Sequence, residues 1–175
     1  MRQNKTKKLV LLAMFIGIAL MLNYFERFIP IAITIPGVKL GLSNVVSLVA
    51  LSLFGFYEVL VLVILRTLLS ATFYGSISAM MFSMAGGIFS LVAMWSLYRY
   101  RGKWISTIGI SVAGAVFHNI GQVSVAVLIL KSAAIYAYLP MLLVSAIITG
   151  VLIGVVADKT INVMGTHAKS YLPKN

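Results

Sequence analysis

The sequence predicts an all-α integral membrane protein with six transmembrane helices and both termini on the cytoplasmic side. The chain has 175 residues, of which 61% are hydrophobic and 10% are charged, and its mean hydropathy is +1.06. A soluble domain of this size needs a more polar surface. Apolar runs of about 20 residues, the length that crosses about 30 Å of hydrocarbon, recur between short polar breaks.

Six apolar spans follow one another and make residues 1–175 a single membrane domain. Gly55 and Gly75 mark tight breaks on either side of the third span. The basic stretch and apolar run at the start resemble a signal peptide, but no small-residue cleavage site follows, so we interpret the run as an uncleaved first helix. Residues 159–175 are expected to form a short cytoplasmic tail. The spans cover about 9–24, 40–54, 57–73, 77–98, 105–130 and 136–156.

The distribution of basic residues predicts the orientation. Four precede the first span, three lie between the fourth and fifth spans, and three follow the sixth, whereas only three lie at the opposite ends of the spans. Lys and Arg concentrate on the cytoplasmic side of membrane proteins. Ten basic residues on one side of the membrane against three on the other support an even number of spans with both termini inside. The net charge of +11 is therefore attributed to membrane orientation, and no nucleic-acid partner is expected.

Arg66 is the most unusual residue, because it lies within the apolar stretch 59–71. A cation at membrane depth costs roughly 2.5–3.5 kcal/mol on insertion scales. None of the chain's three carboxylates is expected at this depth; they belong to Glu26, Glu58 and Asp158. One interpretation is that the guanidinium contacts a ligand or a wet cavity. The other is that it bonds to helix carbonyls or neighbouring helices.

Other polar side chains are expected in the middle and outer half of the membrane. Lys39 lies at the outer rim of the second span, and Asn44 lies deeper. In the fifth span, Gln122 shares a helix face with both His118 and Asn119 through spacings of four and three. Converging faces would form an outward-opening pocket with a cationic floor. The alternatives are interhelical hydrogen bonds for the amides and histidine, and a snorkelling role for the lysine.

Two small residues on the first span form a separate signal. Ala13 and Gly17 are four positions apart, a pattern that lets another helix approach closely. That helix belongs either to a partner subunit or to the same bundle.

Missing motifs argue against catalysis. The chain has no G-x-x-x-x-G-K-[ST] motif for ATP. It has one aspartate, so it lacks an Asp-rich motif that would hold Mg²⁺ on a diphosphate. The two histidines, His118 and His167, lie in the fifth span and in the tail, and no metal cluster is expected. We therefore expect no enzyme activity, no cofactor and no metal, and binding or transport is better supported.

Four segments resemble the Gx transporter family, which is also called heptaprenyl diphosphate synthase component I. They are residues 36–44 (PGVKLGLSN), 65–69 (LRTLL), 82–87 (FSMAGG) and 118–122 (HNIGQ). The resemblance extends from about residue 8 to residue 156. Ser43 is a minor departure, because such families usually have Ala or a similar residue before the asparagine.

This family is similar in size and layout to the substrate-binding S components of energy-coupling factor (ECF) transporters. The resemblance implies an S-component-like bundle in the bacterial cytoplasmic membrane, which binds a small molecule from outside beneath the loop after the first helix. It also implies a transmembrane coupling subunit and separate ATPase subunits as partners. The implied docking residues are Ala13 and Gly17. The implied ligand contacts are Lys39, Asn44, Arg66, His118, Asn119 and Gln122.

The combined expectation is a non-enzymatic substrate-binding subunit of an ATP-driven transporter. Its solute would be small and anionic: a vitamin, a flavin, or a prenyl or quinone precursor. The alternative is a non-catalytic membrane accessory subunit of polyprenyl diphosphate or quinone biosynthesis. A third possibility is a structural scaffold in which the polar residues only hold helices together.

Overall fold

The computed structural model describes residues 2–26, 28 and 41–168, and within these ranges the chain is helical, without β-strands. Five helical segments of this part are long and apolar enough to cross a membrane, and a shorter apolar helix accompanies them. A 3₁₀ helix, Ala133–Tyr138, leads directly into the last α-helix. The α-helices are α1 (Arg2–Glu26), α2 (Asn44–Leu53), α3 (Phe56–Tyr74), α4 (Ile77–Tyr98), α5 (Thr107–Leu130) and α6 (Leu139–Ala168).

The second predicted span differs most from the structure. We expected residues 40–54, whereas α2 has 10 residues, or about 15 Å of helix, which is half of the hydrocarbon thickness. The turn before it contains Gly41 at φ +83°. This conformation is open to glycine, and a Cβ there would also lie 2.7 Å from Asn44 Nδ2. The glycine therefore delays the start of the helix.

The last helix extends beyond the span that was predicted for it, residues 136–156. α6 continues to Ala168, well into the stretch predicted as a tail. Two contacts explain the extension. The Asp158 carboxylate accepts a hydrogen bond from the Thr107 hydroxyl at 2.5 Å and another from Arg101 at 3.4 Å, and Ile161 packs in the core.

The short helix α2 lies at the centre of the bundle and contacts every other α-helix. A helix that is apolar all round is stable only when it is surrounded, and α2 fits that rule. Its buried side chains are Asn44, Val46, Ser47, Leu48, Val49, Ala50 and Leu51.

Helices α1 and α3 run parallel. Near the start of both, the ammonium of Lys8 lies 2.5 Å from the carboxylate of Glu58. At the end of α1, Glu26 lines the same cavity as Arg66, which lies in the middle of α3. The chain must therefore return between the end of α1 and the start of α3, and α2 forms the last part of that return.

Helices α4, α5 and α6 pack antiparallel, and glycines bring α4 and α5 into close contact. A Cβ at Gly121 of α5 would lie 2.9 Å from the Ala85 carbonyl oxygen of α4. A Cβ at Gly86 of α4 would lie 2.8–2.9 Å from the side chains of Gln122 and His118. Because these positions carry no side chain, the α4 backbone lies directly against the polar face of α5.

Candidate functional site

Arg66 is buried in the interior of the bundle and is only 2% exposed. Its guanidinium reaches the start of α2, where Nη1 donates to the hydroxyl of Ser43 and Nη2 donates to Oδ1 of Asn44 at 3.0 Å. Within the described residues, no hydrogen bond is formed by Arg66 Nε or by Asn44 Nδ2. The predicted residues Arg66 and Asn44 are therefore in contact, and no described residue supplies an acceptor for these two donors.

Ser43 holds the guanidinium instead of capping its own helix. It occupies the N-cap position of α2, where serine commonly accepts a hydrogen bond from the second or third helical amide, but its side chain forms no cap hydrogen bond. The amides of Asn44 and Val45 instead donate to the carbonyls of Gly41 and Leu42 at 2.8 and 3.1 Å. The turn frees the hydroxyl for Arg66.

Glu26 lies beside this group, and sequence reasoning did not place it there. It is the last residue of α1 and is 1% exposed. Its Oε1 accepts a hydrogen bond from the Gly41 amide, and its carboxylate interacts electrostatically with Arg66. The expectation that no carboxylate reaches the depth of Arg66 is therefore wrong, and so is the idea of a purely cationic floor.

His118 and Gln122 extend the polar group onto α5. The Nε2 atoms of the two side chains lie 2.8 Å apart. This distance is that of a hydrogen bond between the imidazole and the amide. Both side chains are buried, and Gly86 leaves the space that they occupy.

Two predicted contact residues are placed differently. Asn119 is buried, but its Nδ2 donates to the Leu142 carbonyl of α6 at 2.8 Å, which is the interhelical role that we considered as an alternative. Lys39 lies outside the described residues.

The polar side chains surround a small cavity. Its volume is about 10 Å³, which is room for one water-sized group. The lining residues come from α1, the turn before α2, α3, α4 and α5. They are Asn23, Glu26, Gly41, Ser43, Arg66, Thr67, Ser83 and His118.

The arrangement is suited to hydrogen bonding. One guanidinium, one carboxylate, one imidazole and three hydroxyls line the same buried cavity. Among the described residues, no group of three His, Asp or Glu side chains could hold a metal ion. Charge-assisted hydrogen bonds are the strongest interactions that such a set offers a polar guest.

Several lining residues carried a sequence signal that was missed. Asn23 and Glu26 are three positions apart and therefore share a face of α1, and Glu26 is one of three acidic residues in the chain. Depth along the first span alone places Glu26 at the membrane surface, because it follows the end of the apolar run. Ser83 and Thr67 were missed because single hydroxyls are common in membrane helices.

The residues expected to dock a partner lie on the outside of the bundle. Ala13 and Gly17 are both exposed on α1, and no described atom lies within 4 Å of a Cβ built at Gly17. Their small side chains therefore do not serve packing within the part of the chain described.

Comparison with known proteins gives one match. The family model of heptaprenyl diphosphate synthase component I matches residues 15–160, which is most of the chain and includes every described residue of the site. No curated protein and no solved structure matches significantly. The chain belongs to the heptaprenyl diphosphate synthase component I family, as the sequence motifs indicated.

Proposed function

We propose that this membrane protein binds a small polar solute in its interior and acts as the substrate-binding subunit of an ECF-type transporter. One observation carries the proposal. Arg66, in the middle of an apolar helix, is buried against a polar cavity with a donor that no described residue satisfies. Lys39, Asn44, His118, Asn119 and Gln122 are proposed as further contributors to the site, either directly or by holding the direct contacts in place.

The free-energy cost of burying Arg66 favours contact with a solute over a purely structural role for this residue. Keeping a guanidinium at membrane depth costs several kcal/mol, and each buried donor without an acceptor costs about 1–3 kcal/mol more. Within the described residues, Arg66 Nε and Asn44 Nδ2 are such donors. An acceptor group on a solute would offset both costs, whereas a structural scaffold has no reason to retain them.

The size of the cavity limits what enters it. A volume of about 10 Å³ accommodates one oxygen atom of a carboxylate or phosphate. In this proposal the remainder of the solute lies further outward, and Lys39 is a proposed contact for it. A vitamin, a flavin, or a prenyl or quinone precursor carries such an anionic end.

The parallel arrangement of α1 and α3 supports six membrane crossings. Because Lys8 meets Glu58 at one end and Glu26 lies beside Arg66 further along, the intervening chain must cross back. We propose that residues 27–55, including α2, make this crossing. Residues 1–175 would then form a single membrane domain with both termini in the bacterial cytoplasm.

The exposed face of α1 supports a partner-binding role. Ala13 and Gly17 present an apolar surface without bulky side chains, against which a helix of a coupling subunit can pack closely. ATPase subunits would be separate chains, which agrees with the absence of a P-loop from the sequence.

The test is solute retention. The wild-type chain is purified in detergent without added solute, and small molecules released by denaturation are identified by mass spectrometry. We expect one polar compound at near-stoichiometric amount and at least a tenfold loss in Arg66→Gln, because a buried charge-assisted hydrogen bond is worth more than 1.4 kcal/mol. The matched control is Arg99→Gln, since Arg99 lies over the ring of Trp95, outside the site. Equal retention by Arg66→Gln and wild type would refute the proposal.

A second candidate is an accessory subunit that holds a polyprenyl diphosphate without converting it. The family description favours it, and so does an apolar groove of about 470 Å³ on the side of α4 and α5, lined by residues such as Phe89, Val92 and Phe117. Recovery of a prenyl diphosphate in the same experiment would favour this candidate.

A further inference from the structure

Ser83 is a buried serine of α4 that does not bond to its own helix. A serine or threonine inside a helix commonly donates to a backbone carbonyl one turn earlier. Thr67, Ser124 and Thr149 follow this rule, and each hydroxyl donates to the carbonyl four positions earlier. Ser83 is 7% exposed, and within the described residues its hydroxyl has no hydrogen-bond partner. The hydroxyl is therefore available to a group from outside the described part of the chain.

The position of Ser83 on α4 brings it to the cavity beside Arg66. Gly86 and Gly87 follow it at spacings of three and four and therefore share its helix face. A Cβ at Gly87 would lie 3.4 Å from Arg66 Nη2. A Cβ at Gly86 would lie 2.9 Å from the ring of His118. This face of α4 therefore lies directly against the site, and Ser83 contributes its polar side chain to the cavity lining.

Two further buried atoms of the site have no partner among the described residues. They are Arg66 Nε and Asn44 Nδ2, and both can only donate hydrogen bonds, whereas a serine hydroxyl can donate or accept. Arg66 and Ser83 line the cavity itself, and Asn44 bonds to Arg66 through Oδ1. Because the cavity has room for one water-sized group, this set of donors fits a single atom that accepts hydrogen bonds.

We propose that Ser83 contacts the solute directly and that, together with Arg66, it selects one terminal oxygen of a carboxylate or phosphate group. This inference rests on the proposed function, to which it adds a specificity-determining residue on α4. An anionic oxygen has lone pairs for more than one donor. An N–H or ammonium group in the same place would leave the Arg66 donor without an acceptor, which is costly in a buried site.

The experiment compares Ser83→Ala with Ser90→Ala. Ser90 lies seven positions later on the same face of α4, and its buried hydroxyl also has no partner among the described residues. It is not one of the residues that line the cavity. Instead it lies against α5, where its Oγ would be 3.2 Å from a Cβ at Gly114. The two variants therefore remove the same group from the same helix, inside and outside the site.

Each full-length variant is purified in detergent without added solute, and the compound released by denaturation is quantified by mass spectrometry. We expect at least a tenfold loss of retained compound for Ser83→Ala, because a hydrogen bond to a charged group contributes a factor of ten or more to affinity. Ser90→Ala should retain the wild-type amount. Gel filtration should show that both variants fold, because each loses a hydroxyl to which no described residue is bonded.

Equal retention by Ser83→Ala and wild type, with the expected loss in Arg66→Gln, would reject the contact at Ser83 and leave the proposed function intact. Unchanged retention in both Ser83→Ala and Arg66→Gln would reject both. Aggregation of Ser83→Ala but not of Ser90→Ala would show a structural role for the hydroxyl and would also overturn the inference.

A second measurement does not depend on any variant. It is the chemical composition of the compound that the wild type retains. A compound with a carboxylate or phosphate group supports the inference, whereas a compound with neither overturns it.

Discussion

At the scale of single residues, Arg66 illustrates how a membrane helix carries a buried cation. Its neighbours on α3 are apolar, so its partners come from elsewhere: Ser43 and Asn44 at the start of α2 and Glu26 at the end of α1. These three partners lie 22 to 40 positions away in the sequence, which is why sequence spacing could identify the cation but not its surroundings.

The contact between Ser43 and Arg66 yields the first residue-scale prediction. Ser43→Ala removes an acceptor from a buried guanidinium and should lower the free energy of unfolding by about 1–3 kcal/mol. Solute retention should fall as well, because the guanidinium loses its orientation. Thermal unfolding in detergent and the retention assay provide the two readouts.

Ser52→Ala is the matched control for that change. The Ser52 hydroxyl donates to the Val49 carbonyl within its own helix at 2.6 Å, so its removal leaves no buried charge without a partner. Equal effects of Ser43→Ala and Ser52→Ala on stability and retention would contradict the role given to Ser43.

The candidate site was predicted in part from the sequence. Arg66, Asn44, His118 and Gln122 stood out because polar groups are costly within apolar spans. In the structure Arg66 bonds to Asn44, His118 bonds to Gln122, and Arg66 and His118 line the same cavity. Asn119 has the same sequence signal but bonds to the Leu142 carbonyl, since helix rotation rather than depth determines which neighbour an amide meets.

At the scale of helices, glycine positions divide into two kinds. Gly121 faces the backbone of α4, where a Cβ would lie 2.9 Å from the Ala85 carbonyl oxygen, whereas Gly17 has no described atom within 4 Å of its Cβ position. The first kind brings helices of this chain together. The second kind faces outward and is free to admit a partner.

A leucine should therefore affect the stability of the chain at one of these positions and the binding of a partner at the other. Gly121→Leu should destabilise the isolated chain by at least 1–3 kcal/mol, because α4 and α5 must separate. Gly17→Leu should leave the melting temperature nearly unchanged and abolish co-purification with a coupling subunit, because the bulky side chain prevents close helix packing. Co-purification of Gly17→Leu at the wild-type level would argue against docking through α1.

The start of helix α2 is a boundary that hydropathy does not predict. Its apolar composition indicated a span over residues 40–54, but hydropathy does not reveal a turn, and the predicted start at residue 40 lies before the turn at Gly41–Ser43. The positive φ of Gly41 and the use of Ser43 by Arg66 set the boundary. Neither effect has a signature in apolar composition.

At the scale of the whole molecule, the number and approximate position of the helices were predictable, because long apolar helices follow from length and hydropathy. Helices are found at all six predicted positions. What hydropathy could not supply is the packing order: the central position of α2, and the parallel pairing of α1 with α3 that brings Glu26 to Arg66. These depend on contacts between residues far apart in the sequence.

The proposed topology is tested by single cysteines, since the chain has none of its own. Exposed positions at the helix ends are Thr6, Ser76, Lys103 and Ala133. A membrane-impermeant maleimide added to intact cells should label cysteines at 76 and 133 and spare those at 6 and 103, which should react only after permeabilisation. Protection at 76 together with labelling at 103 would mean that the stretch containing α2 does not cross the membrane.

The most direct test of a solute site at Arg66 is an experimental structure of the protein purified without added solute. We predict density for a bound molecule within hydrogen-bonding distance, about 3 Å, of the Arg66 guanidinium. A guanidinium surrounded only by groups of the protein, with no guest and no path to it from outside, would contradict the account.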